Sequence, residues 1–344
     1  MNSMQRVLTT MSFNEPDRVP LFLFTGLQGA RELDLSIEEY FSRSDYVVEG
    51  QMRLLKKYRG DCISCSFYAA IELEAWGGDV IFQPDCPPNA GPAIIRRPED
   101  IDRLQAPHVS DSPVLLRVLE TIQTLKARVG DTVPIVGTAI SPFSLPVMQM
   151  GFDHYLELIY EQPDRLAKLM RINEDFCVEW ANAQLTAGAT AIGYADPVSS
   201  VTVIPRELYL KTGQQVAKRT IARINGSTAT HLASGRSLPI IDDIAATGTA
   251  GLGVSALEDL ATLKTAARGK LTLIGNLNGV EMRRWTVQQA EQAVKCAIAK
   301  AGRGGGFILS DNHGEIPWQV PDEILLAIVD ACERWGNYPL DWIE

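Results

Sequence analysis

The chain has 344 residues, 46% hydrophobic and 22% charged, which fits a globular protein with a sizeable core and excludes a disordered or fibrous one. Asp and Glu outnumber Lys and Arg, 42 to 32, and the formal charge of -10 makes a nucleic acid or an anionic membrane surface an unexpected partner, since both call for a basic footprint. No apolar run approaches the ~20 residues of a membrane span, residues 1–17 lack a signal-peptide core, and six cysteines are too sparse for a disulfide framework, so the expected setting is a reducing cytoplasm.

In chain order, short apolar runs alternate with amphipathic stretches. The runs fall at residues 18–24, 61–67, 133–138, 191–196, 228–233, 251–254, 271–275 and 306–310. They are near-continuous rather than alternating, as in strands buried on both faces of a parallel sheet. Between them the spacing predicts helices over 36–57, 113–128, 163–187, 205–224, 238–247, 257–267 and 321–334. In the stretch that Thr286 opens, Val287, Ala290, Val294, Ile298 and Ala301 fall three and four apart and share one face. Thr286 can cap its start, and Gly302 lies just past its end. Residues 79–98, with Pro87-Pro88 and Gly91-Pro92, read as a hairpin excursion.

Nothing in the composition divides the chain, so residues 1–344 are expected to form one domain. Eight strands alternating with helices predict an α/β fold, a closed (β/α)8 barrel with an N-terminal helical extension. No GxGxxG follows a strand, which leaves a nucleotide-binding open sheet without support. Gly302-Arg303-Gly304-Gly305-Gly306 precedes a strand and reads as a turn, because a phosphate cradle should open a helix. Cys62 and Cys65 form a lone CxxC within an apolar run and read as small core residues.

A (β/α)8 barrel carries its chemistry at the C-terminal ends of its strands. That rule selects Gln28 and Arg31, then Tyr68, Glu72 and Glu74, then Ser141. It continues with Tyr194, Asp196 and Ser199, with His231 and Ser234, and with Ser255 and Glu258. Asn276 and Asn278 follow the seventh strand, and Asp311, Asn312, His313 and Glu315 the eighth. Only four histidines exist, and two of them, His231 and His313, fall on this one rim with Asp196 and Glu315 nearby. Glu72 and Glu74, two apart on a possible strand, would share a face.

Here the sequence resembles the uroporphyrinogen decarboxylase superfamily and, within it, the corrinoid-dependent methyltransferases of the methylcobalamin:coenzyme M and O-demethylase types. Arg18-Val19-Pro20 is similar to the family's first strand, and Ala195-Asp196-Pro197-Val198-Ser199-Ser200 to the methyltransferases' ADPxxS stretch. Thr230-His231-Leu232-Ala233-Ser234-Gly235 sits where those enzymes carry His-x-Cys-Gly. Leu273-Ile274-Gly275-Asn276 matches their strand-seven motif, and residues 310–317 their C-terminal Cys-Gly segment.

The resemblance implies a barrel enzyme that moves a methyl group between a small methylated substrate and a corrinoid held by a partner protein, with O-demethylation as one form. A homodimer is implied by family behaviour alone. The decarboxylases' two N-terminal arginines are reduced to Arg31 at most, and their central aspartate maps near Tyr68, which speaks against tetrapyrrole decarboxylation. That alternative would use Arg31 and Arg236 as cationic anchors. The family's zinc thiolates are also missing: Ala233 or Ser234 stands at one position and Asn312 or His313 at the other.

Two accounts of this gap remain open. Zinc could be held by harder ligands, His231, His313 and Glu315, with Asp196 or Asp311 as further oxygen donors. Alternatively the metal is gone and the imidazoles act as acid/base or hydrogen-bonding groups. The expected catalytic set is His231, His313, Asp196 and Tyr68, and the expected substrate contacts are Asn276, Tyr194, Glu72 and Arg31.

Overall fold

The computed structural model describes residues 1–343. Eight parallel strands follow one another round a barrel: β1 (Leu21–Phe22), β2 (Ile63–Ser64), β3 (Ile135–Ile140), β4 (Ala191–Ala195), β5 (Ser227–His231), β6 (Gly251–Gly253), β7 (Thr272–Leu277) and β8 (Phe307–Asp311). Their hydrogen-bonded order is β1-β8-β7-β6-β5-β4-β3-β2, so every junction but β1–β2 is a parallel ladder among the described residues. Helices cover the outside, the longest being Pro163–Ala187, Pro113–Val129, Ser44–Tyr58 and Val287–Ala301. This is the (β/α)8 barrel that the alternation of elements predicts. Among the described residues no helix is long and apolar enough to cross a membrane.

The β1–β2 junction closes by a different device. The Asp61 N–H donates to the Leu21 carbonyl at 2.7 Å, and the Leu21 N–H donates to the Asp61 carboxylate at 2.8 Å. A carboxylate thus stands in for a strand carbonyl. Burying that charge is tolerable only with partners, and Arg6 and Arg18 supply them at 2.5 and 2.7 Å. Arg6 comes from helix Ser3–Met11, which lies ahead of β1 and whose Val7 packs on Phe22 and Ile308. Ile274 and Val136 pack against the same cluster, giving the barrel an apolar floor.

Several predicted helices are shorter or broken. The 36–57 stretch divides into Ile37–Phe41 and Ser44–Tyr58, and the 205–224 stretch into Arg206–Lys211 and Gly213–Ile221. Helix Leu260–Ala267 starts late because the Asp259 side chain accepts the Thr262 N–H and caps it there. Glu72 and Glu74 lie on a short helix, Ile71–Ala75, not on a strand, so they do not share a face. The hairpin excursion is present as Val80–Ile81 paired with Asn89–Ala90. Cys65 is buried and Cys62 partly buried, and burial pushes both thiols well up, as expected of packing residues.

Candidate functional site

Above the floor, the residues that face the barrel axis are small. A Cβ at Gly193 would lie 3.6 Å from Thr138 Oγ1, one at Gly251 would lie 3.2 Å from the Ala229 Cβ, and one at Gly253 would lie 2.4 Å from His231 Cδ2. Thr138, Gly193, Ala195, Ala229, His231 and Asn276 sit on central strands yet stay partly exposed. Strand residues ringed by helices reach solvent only when the lumen beside them is unfilled. The upper barrel is therefore a cavity open at the C-terminal ends of the strands, where the fold places its chemistry.

His231 and His313 meet across this mouth although β5 and β8 are not neighbours in the sheet. The His231 ring lies against Phe24, with centroids 5.9 Å apart, and has Gly253 and Gly314 on its other sides. A Cβ at Gly314, whose φ is +90°, would lie 3.0 Å from its Cε1, so glycine at both places leaves the ring room. Burial, then the charge of His313, lowers the His231 pKa to about 4. His231 Nδ1 accepts the Ala233 N–H at 3.1 Å, and His313 Nδ1 is hydrogen-bonded to Ser234 Oγ. Ala233 and Ser234 both adopt left-handed backbone, with φ of 44° and 67°. Two successive non-glycine residues there store on the order of 1–3 kcal/mol each, a strain that concentrates at working sites.

The acids nearby support the loop instead of touching the rings. Asp311 accepts the Phe24 N–H at 3.1 Å and the His313 and Gly314 N–H groups at 3.3 and 3.2 Å. Burial outweighs those bonds and pushes its carboxyl up to about 6. Glu315 lies at the end of β1, where a Cβ on Gly26 would be 3.2 Å from its Oε1. Burial, with the charge of Asp311 adding to it, pushes Glu315 up to about 8. The Asn312 amide ties the loops after β6 and β7, donating to the Leu277 carbonyl at 3.0 Å and accepting from the Ala256 N–H at 3.3 Å.

Most of the other expected site residues are held elsewhere. The Asp196 carboxylate is buried and takes the hydroxyls of Ser141 and Ser144 at 2.5 and 2.7 Å. It reaches His231 only through its backbone N–H, which donates to the His231 carbonyl at 2.8 Å. Tyr68 donates its hydroxyl to Glu74 at 2.6 Å and packs on Phe41 and Phe82. Tyr194 is fully buried in the outer cluster with Phe176, Cys177 and Ala217, so it points under the helices and not into the lumen. Glu72 lies in the same layer and accepts the Ile140 N–H at 2.7 Å. Arg31 is no anchor: its guanidinium donates to the Trp318 carbonyl at 2.8 Å and pairs with Asp322 at 2.5 Å. Asn276 stays at the mouth, its amide donating to the Ser255 carbonyl at 2.9 Å.

The residues present do not fit the expected zinc. Among the described residues no group of three His, Cys, Asp or Glu side chains is placed to share an ion. Glu315 hydrogen-bonds to neither imidazole among them, and the Nδ1 atoms of both rings are already engaged. Sequence reading passed over Gly253 and Gly314 as working positions. The signal available was the Gly251-x-Gly253 alternation, which is poor for strand formation and good for making room.

An open (β/α)8 barrel with paired imidazoles at its catalytic rim defines an enzyme scaffold. The chain belongs to the uroporphyrinogen decarboxylase family, whose model matches residues 2–335. It is 26% identical over 220 residues to the methylcobamide:CoM methyltransferase MtaA of Methanosarcina barkeri, a match covering 63% of each chain. It is 25% identical over 263 residues to the uroporphyrinogen decarboxylase of Acinetobacter baumannii (strain AYE), covering 71% of each. A solved methyltransferase from Methanosarcina mazei shares the fold with a TM-score of 0.85 at 20% identity, covering 97% of this chain and 99% of that one.

Proposed function

We propose that the protein is a methyltransferase that moves a methyl group between a small methylated substrate and a corrinoid carried by a separate protein. O-demethylation is one form such a reaction would take. The methyltransferase of Methanosarcina barkeri among its relatives supports this reading. The observation that carries it is the mouth itself: two imidazoles in an open lumen. The corrinoid would supply the methyl-accepting cobalt. This chain would position the methyl group and stabilise the charge that develops on the departing oxygen, the kind of task a preformed hydrogen-bond donor performs well.

The decarboxylases among its relatives keep a second reading, a lyase acting on a tetrapyrrole carboxylate. Arg31, one of its two expected anchors, is bound to Trp318 and Asp322, and the side chain of the other, Arg236, is exposed. Cobalamin methylation, followed by absorbance with methoxyaryl and methylamine donors, tests the first reading. Turnover with a methoxyaryl donor and none with uroporphyrinogen is the expected result. Decarboxylation of uroporphyrinogen without cobalamin methylation would reverse the assignment.

A further inference from the structure

Glu72 takes no part in the proposed reaction, and its surroundings call for a ligand of their own. The residue is 2% exposed, and no Lys, Arg or His pairs with it among the described residues. A carboxylate isolated in this way is costly, so the group is held neutral, in line with a pKa that burial pushes up to about 8. Neutrality makes its two oxygens different. Oε1 accepts the Ile140 N–H at 2.7 Å and is therefore the carbonyl oxygen. The proton is left on Oε2, which has no hydrogen-bond partner within the chain.

Trp180 supplies a second, independent observation. It is 1% exposed, and its indole Nε1–H, a donor only, also lacks a partner. The indole lies near enough to Glu72 to draw its pKa down, yet the two polar atoms form no hydrogen bond with each other. Both residues line one cavity of about 20 Å³, with Ser66 and Thr138 as further polar neighbours. A water molecule needs roughly 10–15 Å³ and two to four polar partners, so the space fits one. Two donors on one small cavity require a ligand that accepts twice. A water oxygen does so without charge. An anion does not suit, because no Lys, Arg or His lines the cavity to balance it.

We infer that the cavity between Glu72 and Trp180 is a specific site for one internal water, whose oxygen accepts the Glu72 Oε2–H and the Trp180 Nε1–H. The water closes a polar contact that the two side chains leave open. It joins three elements: the short helix Ile71–Ala75 through Glu72, the long helix Pro163–Ala187 through Trp180, and the end of β3 through Ile140. The helix it ties down also carries Glu74, the partner of the Tyr68 hydroxyl. The inference does not depend on the methyl-transfer reading.

The test uses the full chain, labelled with 15N-tryptophan and 13C-glutamate, in mildly acidic solution. Trp180→Phe identifies the Trp180 indole resonance. That indole proton should show a cross-peak to water with the sign of an intramolecular contact, the mark of a long-lived molecule and not of surface hydration. The Glu72 carboxyl carbon should resonate as the protonated form. A carboxyl proton exchanging with solvent could relay such a cross-peak, and Glu72→Gln removes that route while keeping a donor at the place of Oε2. Persistence of the cross-peak in Glu72→Gln is the expected result. An ionised Glu72, absence of the cross-peak in the native chain, or its loss in folded Glu72→Gln would overturn the inference.

Discussion

The base of the barrel and its mouth both bury carboxylates, and they treat them in opposite ways. At the base, Asp61 meets two arginines, a serine hydroxyl and a backbone N–H, so nearly every lone pair has a partner. At the mouth, Asp311 accepts only backbone N–H groups and its carboxyl rises to about 6. The charge at the base locks the one junction that lacks a ladder. The acids at the mouth hold a loop in place and, among the described residues, leave the two imidazoles without a carboxylate partner. Full pairing serves stability, and incomplete pairing keeps groups available for a ligand.

The largest expected effect falls at the base. Asp61→Ala leaves Arg6 and Arg18 facing a buried gap and should lower stability by about 3–5 kcal/mol in a denaturant titration. Turnover per folded molecule should be unchanged. A loss below 1 kcal/mol would mean that the β1–β2 junction does not depend on this cluster. At the mouth the pattern inverts. Gly253→Ala places a Cβ on the His231 ring, and displacing a reacting group by ~1 Å costs on the order of 10²-fold in rate. Measured kcat should fall while the melting temperature moves little; retained kcat would remove His231 from the chemistry.

The smallest effect, per pH unit, concerns Glu72, which belongs to neither region. Burial raises its carboxyl from 4.5 to about 8. The folded chain keeps the proton after the unfolded chain has lost it, so the contribution of Glu72 to stability is fullest below pH 4.5 and declines as pH rises towards 8. Glu72→Gln should remove about 1.4 kcal/mol per pH unit of that decline across this window. Parallel stability–pH curves for the two proteins would show that Glu72 is ionised in the folded state.

The barrel was legible because near-continuous apolar runs and heptad-like helix faces are local signals. Fold-level placement of strand ends then brought His231 and His313 to one rim. The roles of Glu72, Tyr194 and Arg31 were not legible, for distinct reasons. A strand's two faces both read as apolar in a parallel barrel, so Tyr194 gave no sign of pointing outward. Glu72 looked like a rim acid because the short helix Ile71–Ala75 has too few residues to show a period. Arg31 looked free because its partners, Trp318 and Asp322, lie almost a whole chain away. Ser234 was visible as a rim residue and as the stand-in for a missing thiol, but its bond to His313 depends on a left-handed turn that no residue there announces.

The account depends most on the two imidazoles sharing one mouth closely enough to feel each other. An NMR pH titration of the four histidines, in the native chain and in His313→Ala, tests this directly. His231 should stay neutral until the pH falls to about 4, and its midpoint should rise when His313 is removed. A His231 midpoint near 6.5 that ignores the substitution would place the rings in separate environments and contradict the account.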